Sequence, residues 1–293
     1  MQYKYLALLG VMLLPFTSVV EEVIALRTPA TLRQTTEVAY PYTTKGKYGF
    51  TGKNGSVVVN PKYDYADSLR EDMSLVVLKN KWGFVDKFGN ETVQLSYEEA
   101  HTFSENLAAV SLNKKWGFVD AQGKKVIPLK YDYVGTFRNG LAPVKSNGKY
   151  GYVNNQGTIV IAAKYDEAQN FSEGVALVSK DGSYGYIDKT GKVIANFKYD
   201  FGGDFKDGVA VVATIKFNDE TMENISRYGF INKLGKEITP LKYENALGFS
   251  EGYALVSANG KYGFIDKSGK EVIGLKYDYA ASFHNGLAPV SIN

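Results

Sequence analysis

Residues 141–174 read LAPVKSNGKYGYVNNQGTIVIAAKYDEAQNFSEG, and the reading of this stretch decides the fold. It divides into three short runs of alternating apolar residues and one irregular connection. The first run, Leu141 to Lys145, leads into Asn147-Gly148. That dipeptide suits a two-residue hairpin, because both central residues of a type I′ turn need positive φ. The second run is Tyr150-Gly151-Tyr152-Val153. The turn after it is clearest in the copies Asp120–Gly123, Asp188–Gly191 and Asp266–Gly269, where Asp caps through its side chain and Gly takes the left-handed position. The third run, Thr158 to Ile161, continues into Lys164-Tyr165-Asp166. Three strands joined by two tight turns predict an antiparallel meander.

The stretch is one of seven near-copies. An aromatic residue followed by Gly recurs at Tyr48, Trp82, Trp116, Tyr150, Tyr184, Tyr228 and Tyr262, in steps of 34 residues except for one of 44. A fixed period of this size marks a solenoid, propeller or array, in which neighbouring units share a continuous core. The fold class expected is therefore all-β: a tandem repeat of seven three-stranded antiparallel units, stacked as an open β-hairpin solenoid or superhelix. A closed seven-bladed, propeller-like ring is the alternative. Ala39 to Thr43 already reads as a first strand, which makes closure through the C-terminal stretch 287–292 redundant. Three strands are also fewer than the usual four per blade. On the second strand Tyr150 and Tyr152 share one face and Gly151 occupies the other, which predicts close approach of another group, with a neighbouring ring lying over the bare backbone. The connection repeats too: a Tyr followed by an acid, an apolar residue six positions after the Tyr, and then a Gly, Asp or Asn suited to positive φ.

The N-terminal segment reads differently. Lys4 precedes the apolar run Leu6 to Val20, and Val23-Ile24-Ala25 offers a cleavage site, so residues 1–25 are expected to be an export signal. The apolar run is shorter than the roughly 20 residues a spanning helix needs, so no membrane span is expected after cleavage. Residues 26–37 form a polar tail and residues 38–293 the repeat domain. Secretion or display at the cell surface is the expected destination.

Composition removes several classes of chemistry. The net charge is +3 with the charges interspersed, unlike the clustered basic stripe of a nucleic-acid binder. There is no Cys and there are only two His, His101 and His284, which read as surface side chains at different offsets in the connections, so neither a thiolate site nor a multi-His metal site is expected. No cofactor is expected. The acidic pairs Glu98-Glu99 and Asp219-Glu220 do not read as a general acid and base, because neighbours on a strand face opposite ways and the second pair falls in a loop. No Gly-x-Ser-x-Gly, His-Glu-x-x-His or phosphate-loop pattern occurs. The chain does not read as an enzyme. The acids of the Lys-Tyr-Asp triplets are expected to cap turns, because structural positions recur in every unit.

The cores Trp82–Asp86 (WGFVD), Trp116–Asp120 and Tyr262–Asp266 (YGFID) resemble the WG-repeat family, as do the following Gly, the Lys-Tyr-Asp segment and the Phe283–Val290 stretch. Five of the seven units carry Tyr where the family has Trp. The resemblance implies an all-β bacterial repeat protein, often exported, without a common activity. The expected role is a non-catalytic binding or scaffolding module for another macromolecule, either a protein or, alternatively, a glycan of the cell wall or cell exterior. Candidate contact residues are the rings Trp82, Trp116, Tyr150 and Tyr184. Asn218, Asp219 and Glu220 join them, at the tip of the ten-residue insertion that breaks the period within 214–227. Insertions in repeat proteins map to loops on one face, often the binding face.

Overall fold

A computed structural model describes residues 38–292; the expected export signal, 1–25, and the expected tail, 26–37, lie outside the described residues. The described chain is all-β, with no helix. Six four-stranded antiparallel sheets follow one another, preceded by a three-stranded sheet and followed by a two-stranded one. The repeat thus builds a sheet of one strand more than the three expected. The additional strand is short. After Tyr131 the chain bends at Asp132, and Tyr133–Val134 pairs with Lys145 and Val144 of the next first strand, Leu141–Ser146. The bend is fixed by Asp132, whose amide donates to Lys145 O at 2.9 Å and whose carboxylate accepts the Asn147 amide at 3.0 Å. A two-residue strand has no periodicity to read, which is why the sequence shows only an irregular connection there.

The hairpin turns take the conformations expected of them. Asn147 and Gly148 both have positive φ, as do Asp181-Gly182 and Asn259-Gly260. Ala39 to Thr43 falls within a first strand, Val38–Thr44. Asp72 and Asn106, which stand where later units have Gly, adopt φ of 63° and 66°.

The glycine of the aromatic-Gly pair answers a different need from the one anticipated. Tyr150 pairs with Tyr165 and Tyr152 with Ile161, so a single residue on the second strand opposes three on the third. The third strand bulges, and its backbone lies over Gly151, with Ala163 N 2.7 Å from where a Cβ would stand. The same holds at Gly83, where a Cβ would meet Val93 O at 2.6 Å and Leu95 N at 2.9 Å. A ring covers the glycine only at Gly185, where Phe197 joins the Ala195 carbonyl.

The core lies between consecutive sheets. Each second-strand ring meets the aromatic residue of the following connection: Phe84–Phe103 at 4.8 Å, Phe118–Phe137 at 4.7 Å, Tyr152–Phe171 at 4.8 Å and Tyr186–Phe205 at 5.2 Å between centroids. These are edge-on or tilted contacts, the arrangement that ring quadrupoles favour. Phe118, Phe137, Phe171 and Tyr186 are wholly buried, and burial of each side chain of this size stabilises by about 1.5–3 kcal/mol. In the first unit Leu69 replaces the connection ring, and Phe50 turns to Tyr63 at 6.3 Å instead.

Replacing Gly83 with Ala should therefore cost about 3 kcal/mol through backbone overlap. Gly148→Ala, at φ +79° with nothing within 4 Å, should cost only about 1 kcal/mol. Urea-unfolding midpoints of the two variants check this; equal losses would refute the close-approach account.

Candidate binding surface

Polar side chains fasten consecutive sheets with the same spacing as the repeat. In the tight turn ahead of most first strands, one side chain reaches the next turn. Glu71 accepts the amides of Glu105 and Asn106 at 2.8 and 2.7 Å, and Glu173 accepts those of Asp207 and Gly208 at 2.7 and 2.9 Å. Glu251 accepts those of Asn285 and Gly286 at 2.7 and 2.8 Å. The acids of the Lys-Tyr-Asp triplets cap turns as expected, but across the junction. Asp166 pairs with Lys149 of the preceding sheet and accepts the Asp181 amide of the following hairpin at 2.8 Å. Asp64 and Asp132 do the same with Lys47 and Lys115. Hydrogen bonds from these lysines are the foremost cause that holds the three carboxyls below the ordinary aspartate range.

Two surface features remain once these structural roles are assigned. The first is an aromatic row. Trp116 is buried, while Trp82, Tyr150 and Tyr184 are half-buried, so the four rings do not line a shared open groove. The exposed members of the row are residues that the sequence reading passed over. They follow the triplet acid: Tyr65, Tyr133, Phe201 and Tyr279, between 42% and 57% exposed. Glu99, Glu167 and Asn245 occupy the same position in the intervening units, so ring and polar side chain alternate along the chain. Tyr133 lies 6.2 Å from both Trp116 and Tyr150, and Tyr65 lies 5.7 Å from Tyr48. Where the acid stands, it is used: the Tyr184 hydroxyl donates to Glu167 at 2.5 Å, a bond that raises the tyrosine's pKa. The alternation was present in the sequence as a doubled period, which a search at the single period averages away.

His101 joins this row, packed 4.9 Å from the Trp116 ring, whereas sequence reasoning placed both histidines at the surface. His284 is exposed. Tyr133 closes over His101 at 6.4 Å, which accounts for its partial burial.

The second feature is the insertion. The strands Val209–Asn218 and Glu223–Asn232 form one continuous hairpin arm, longer than in any other unit. One face carries Thr214, Lys216, Ile225 and Arg227, since Thr214 pairs with Arg227 and Lys216 with Ile225. The other carries Ile215 and Phe217, 43% and 56% exposed. Asn218 shapes the tip by accepting the Glu220 and Thr221 amides at 2.9 and 3.3 Å. A groove of about 920 Å³ runs along the basic face, bounded by Asn218, Asp219 and Glu220 at the tip and by Leu241 at the base. None of the four predicted rings lines it.

Comparison with known proteins agrees with the repeat. The chain matches the WG containing repeat over residues 48–82, 82–116, 116–150, 150–184, 184–214, 228–262 and 262–293, and it belongs to that family. No curated protein matches it. Among solved structures it is similar to a eukaryotic initiation factor, with a TM-score of 0.50 and 12% identity over 82% of this chain and 75% of that one. It is also similar to Hsv2 of Kluyveromyces lactis, with a TM-score of 0.43 and 9% identity over 79% and 89%. The WD40 domain of Neurospora crassa Pan2 gives a TM-score of 0.35 and 7% identity over 82% and 79%. At such identities the likeness concerns the fold alone.

Burial of His101 is the main cause that lowers its pKa from 6.5, with Glu99 opposing. The folded chain thus favours the neutral imidazole. The stability this residue contributes is complete above about pH 6.5 and is lost as pH falls through its lowered folded value. His101→Phe keeps a ring against Trp116 without the titration. Thermal midpoints taken from about pH 7 down to about pH 5 should fall more for the wild type than for this variant; parallel curves would contradict the assignment.

Proposed function

We propose that this WG-repeat protein is an exported, non-catalytic binding or scaffolding module that holds another protein. The observation that carries this reading is the hairpin arm of the 209–232 segment, which alone departs from the repeat and bounds the groove beside Lys216 and Arg227. Exposed Ile215 and Phe217 add apolar contact surface to the arm, Phe217 also reaching the groove. The row of Tyr65, Tyr133, Phe201 and Tyr279 adds repeated, weaker contacts, so that binding at several units strengthens attachment through effective concentration. Enzymatic chemistry finds little support: the triplet acids Asp64, Asp132 and Asp166 are engaged with lysines and turn amides. No helix among the described residues is long and apolar enough to cross a membrane.

The second reading, attachment to a cell-envelope glycan, is favoured by the same row, since exposed rings with Glu99 and Glu167 between them suit stacking on sugars and acceptance of their hydroxyls. For the arrangement of the units we propose the open stack. Among the described strands, the more extensive contacts run within a sheet or between consecutive sheets. The four-stranded sheets favour the ring.

Shortening the arm to Asn-Gly, the turn of the 141–154 hairpin, tests the protein reading. A photo-crosslinking residue at position 217 should trap a discrete protein partner. The shortened variant should keep the wild-type melting temperature and lose that partner when the crosslinker is moved to position 214, which lines the base of the groove in the full-length arm. Retention of the full chain on purified wall polysaccharide, with unchanged retention after arm shortening, would transfer the assignment to the glycan. Small-angle scattering addresses the stacking. A closed ring of the repeat domain should give a radius of gyration near the compact value of about 18 Å, and an open stack a distinctly larger one.

A further inference from the structure

The junctions between sheets are alike but not identical, and one of them is incomplete in a chemically specific way. At three junctions a Lys-Tyr pair holds a glutamate from the next sheet. Glu91 accepts Lys62 Nζ at 2.7 Å and the Tyr63 hydroxyl at 2.8 Å. Glu237 accepts Lys198 at 2.7 Å and Tyr199 at 3.3 Å, and Glu271 accepts Lys242 at 3.1 Å and Tyr243 at 3.3 Å. In each case the lysine also lies over the ring of its tyrosine, with Nζ 4.8–5.1 Å from the centroid. The pair favours the ionised acid: the Lys62 bond is the foremost cause that holds Glu91 below the ordinary carboxylate range.

Lys130-Tyr131 repeats the pair, with Lys130 Nζ 5.2 Å from the Tyr131 ring centroid. The residue that should supply the carboxylate is Ile159. The Tyr131 side chain is buried, the residue being 4% exposed, and its hydroxyl has no hydrogen-bond partner. Leaving such a group unpaired is costly. Lys164-Tyr165 has the same fault, with Val193 in the acid's place and the Tyr165 hydroxyl likewise unpaired. There, however, Phe197 stacks on the Tyr165 ring at 6.1 Å and fills the space. The residue corresponding to Phe197 is Leu95, Leu241 or Leu275 at the three glutamate junctions, and each of these packs against the core. At the Tyr131 junction it is Ala163. The lost side-chain volume opens a cleft of about 260 Å³ lined by Lys130, Tyr131, Ser146, Ile159, Ile161 and Ala163. Ile159 is 60% exposed, so the cleft communicates with solvent.

We propose that this cleft binds a small aliphatic carboxylate, whose oxygen takes the place that Glu91, Glu237 and Glu271 occupy at the other junctions. Lys130 Nζ and the Tyr131 hydroxyl donate to the carboxylate, and the short chain lies against Ile159, Ile161 and Ala163. The lining decides in favour of an aliphatic acid over a sugar acid, because apart from Ser146 it offers no further side-chain partner for ring hydroxyls. A cleft this size is slightly below the usual range for drug-sized ligands, which limits the occupant to a short chain. The inference is independent of the macromolecular binding role proposed above.

Titration of the full chain with pentanoate, followed by the amide resonances of Gly151 and Ala163, tests it. Saturable shifts are expected with pentanoate and none with the uncharged pentanamide. Lys130→Met should weaken binding by about tenfold or more, the worth of a hydrogen bond to a charged group. Ile159→Glu should restore the internal carboxylate, abolish the pentanoate response and raise the melting temperature. Ala163→Leu should abolish the response by filling the cleft, while leaving the protein folded. Absence of saturable shifts in the wild type would overturn the proposal. So would undiminished binding by Ile159→Glu or Ala163→Leu, or a response to glucuronate in place of pentanoate.

Discussion

The structure depends on a strand of backbone passing over a residue that has no side chain. At each aromatic-Gly pair the third strand carries two more residues than its partner needs, and the surplus arches over the glycine. The arch bends the third strand and strengthens its twist, as bulges do. It also brings the triplet tyrosine back into register beside the aromatic residue, Tyr165 opposite Tyr150 and Tyr97 opposite Trp82. Several of the features that join one sheet to the next start from that tyrosine: the bend at the acid, the short strand, and the lysine laid over the ring. A methyl group at the glycine would displace the arch, and with it these features.

The junctions combine an apolar layer with polar fasteners. Rings such as Phe118 and Phe137 supply most of the burial, while the carboxylates fix the offset between sheets by gripping amides that the tight turns leave unpaired. The pattern has one interruption. Between the turn at Asp207 and the turn at Glu251 the separation is 44 residues, and the arm lies between them. Asp207, a methylene shorter than the glutamates, faces Lys267 at 3.7 Å. The place where the chain has admitted an insertion thus coincides with a weaker fastening.

Much of this was legible in the sequence. Period and turn chemistry follow from residues whose conformational demands are strong, such as Asn147-Gly148 and Gly157, whereas the two-residue fourth strand of each sheet was not foreseen. The arm was legible as the ten-residue insertion within 214–227. What escaped reading depended on relations across junctions. Gly151 announced a close approach but not its author, because a bulge in the third strand leaves no mark on the second. Tyr133 and Phe201 differ from Glu99 and Glu167 only in alternate copies, so their shared rim becomes visible once the units are set side by side. His101 looked like a surface residue because nothing in its neighbourhood in sequence predicts Trp116 above it. The candidate rings Trp82, Trp116, Tyr150 and Tyr184 were read as one strip, and the structure divides them between core and half-covered surface.

The carboxylate grip of one turn on the next has a mechanical consequence. Because Glu71, Glu173 and Glu251 each bind a turn about 34 residues further on, a pull applied along the chain would load these grips in series. The junction at Asp207, lacking such a grip onto the turn at Glu251, would yield early. Each release would pay out one repeat, about 115 Å of contour at full extension. A protein of this build would lengthen under tension in steps of one unit, the one holding the arm longer than the rest, and keep its remaining units intact, behaving as a shock absorber for whatever it tethers.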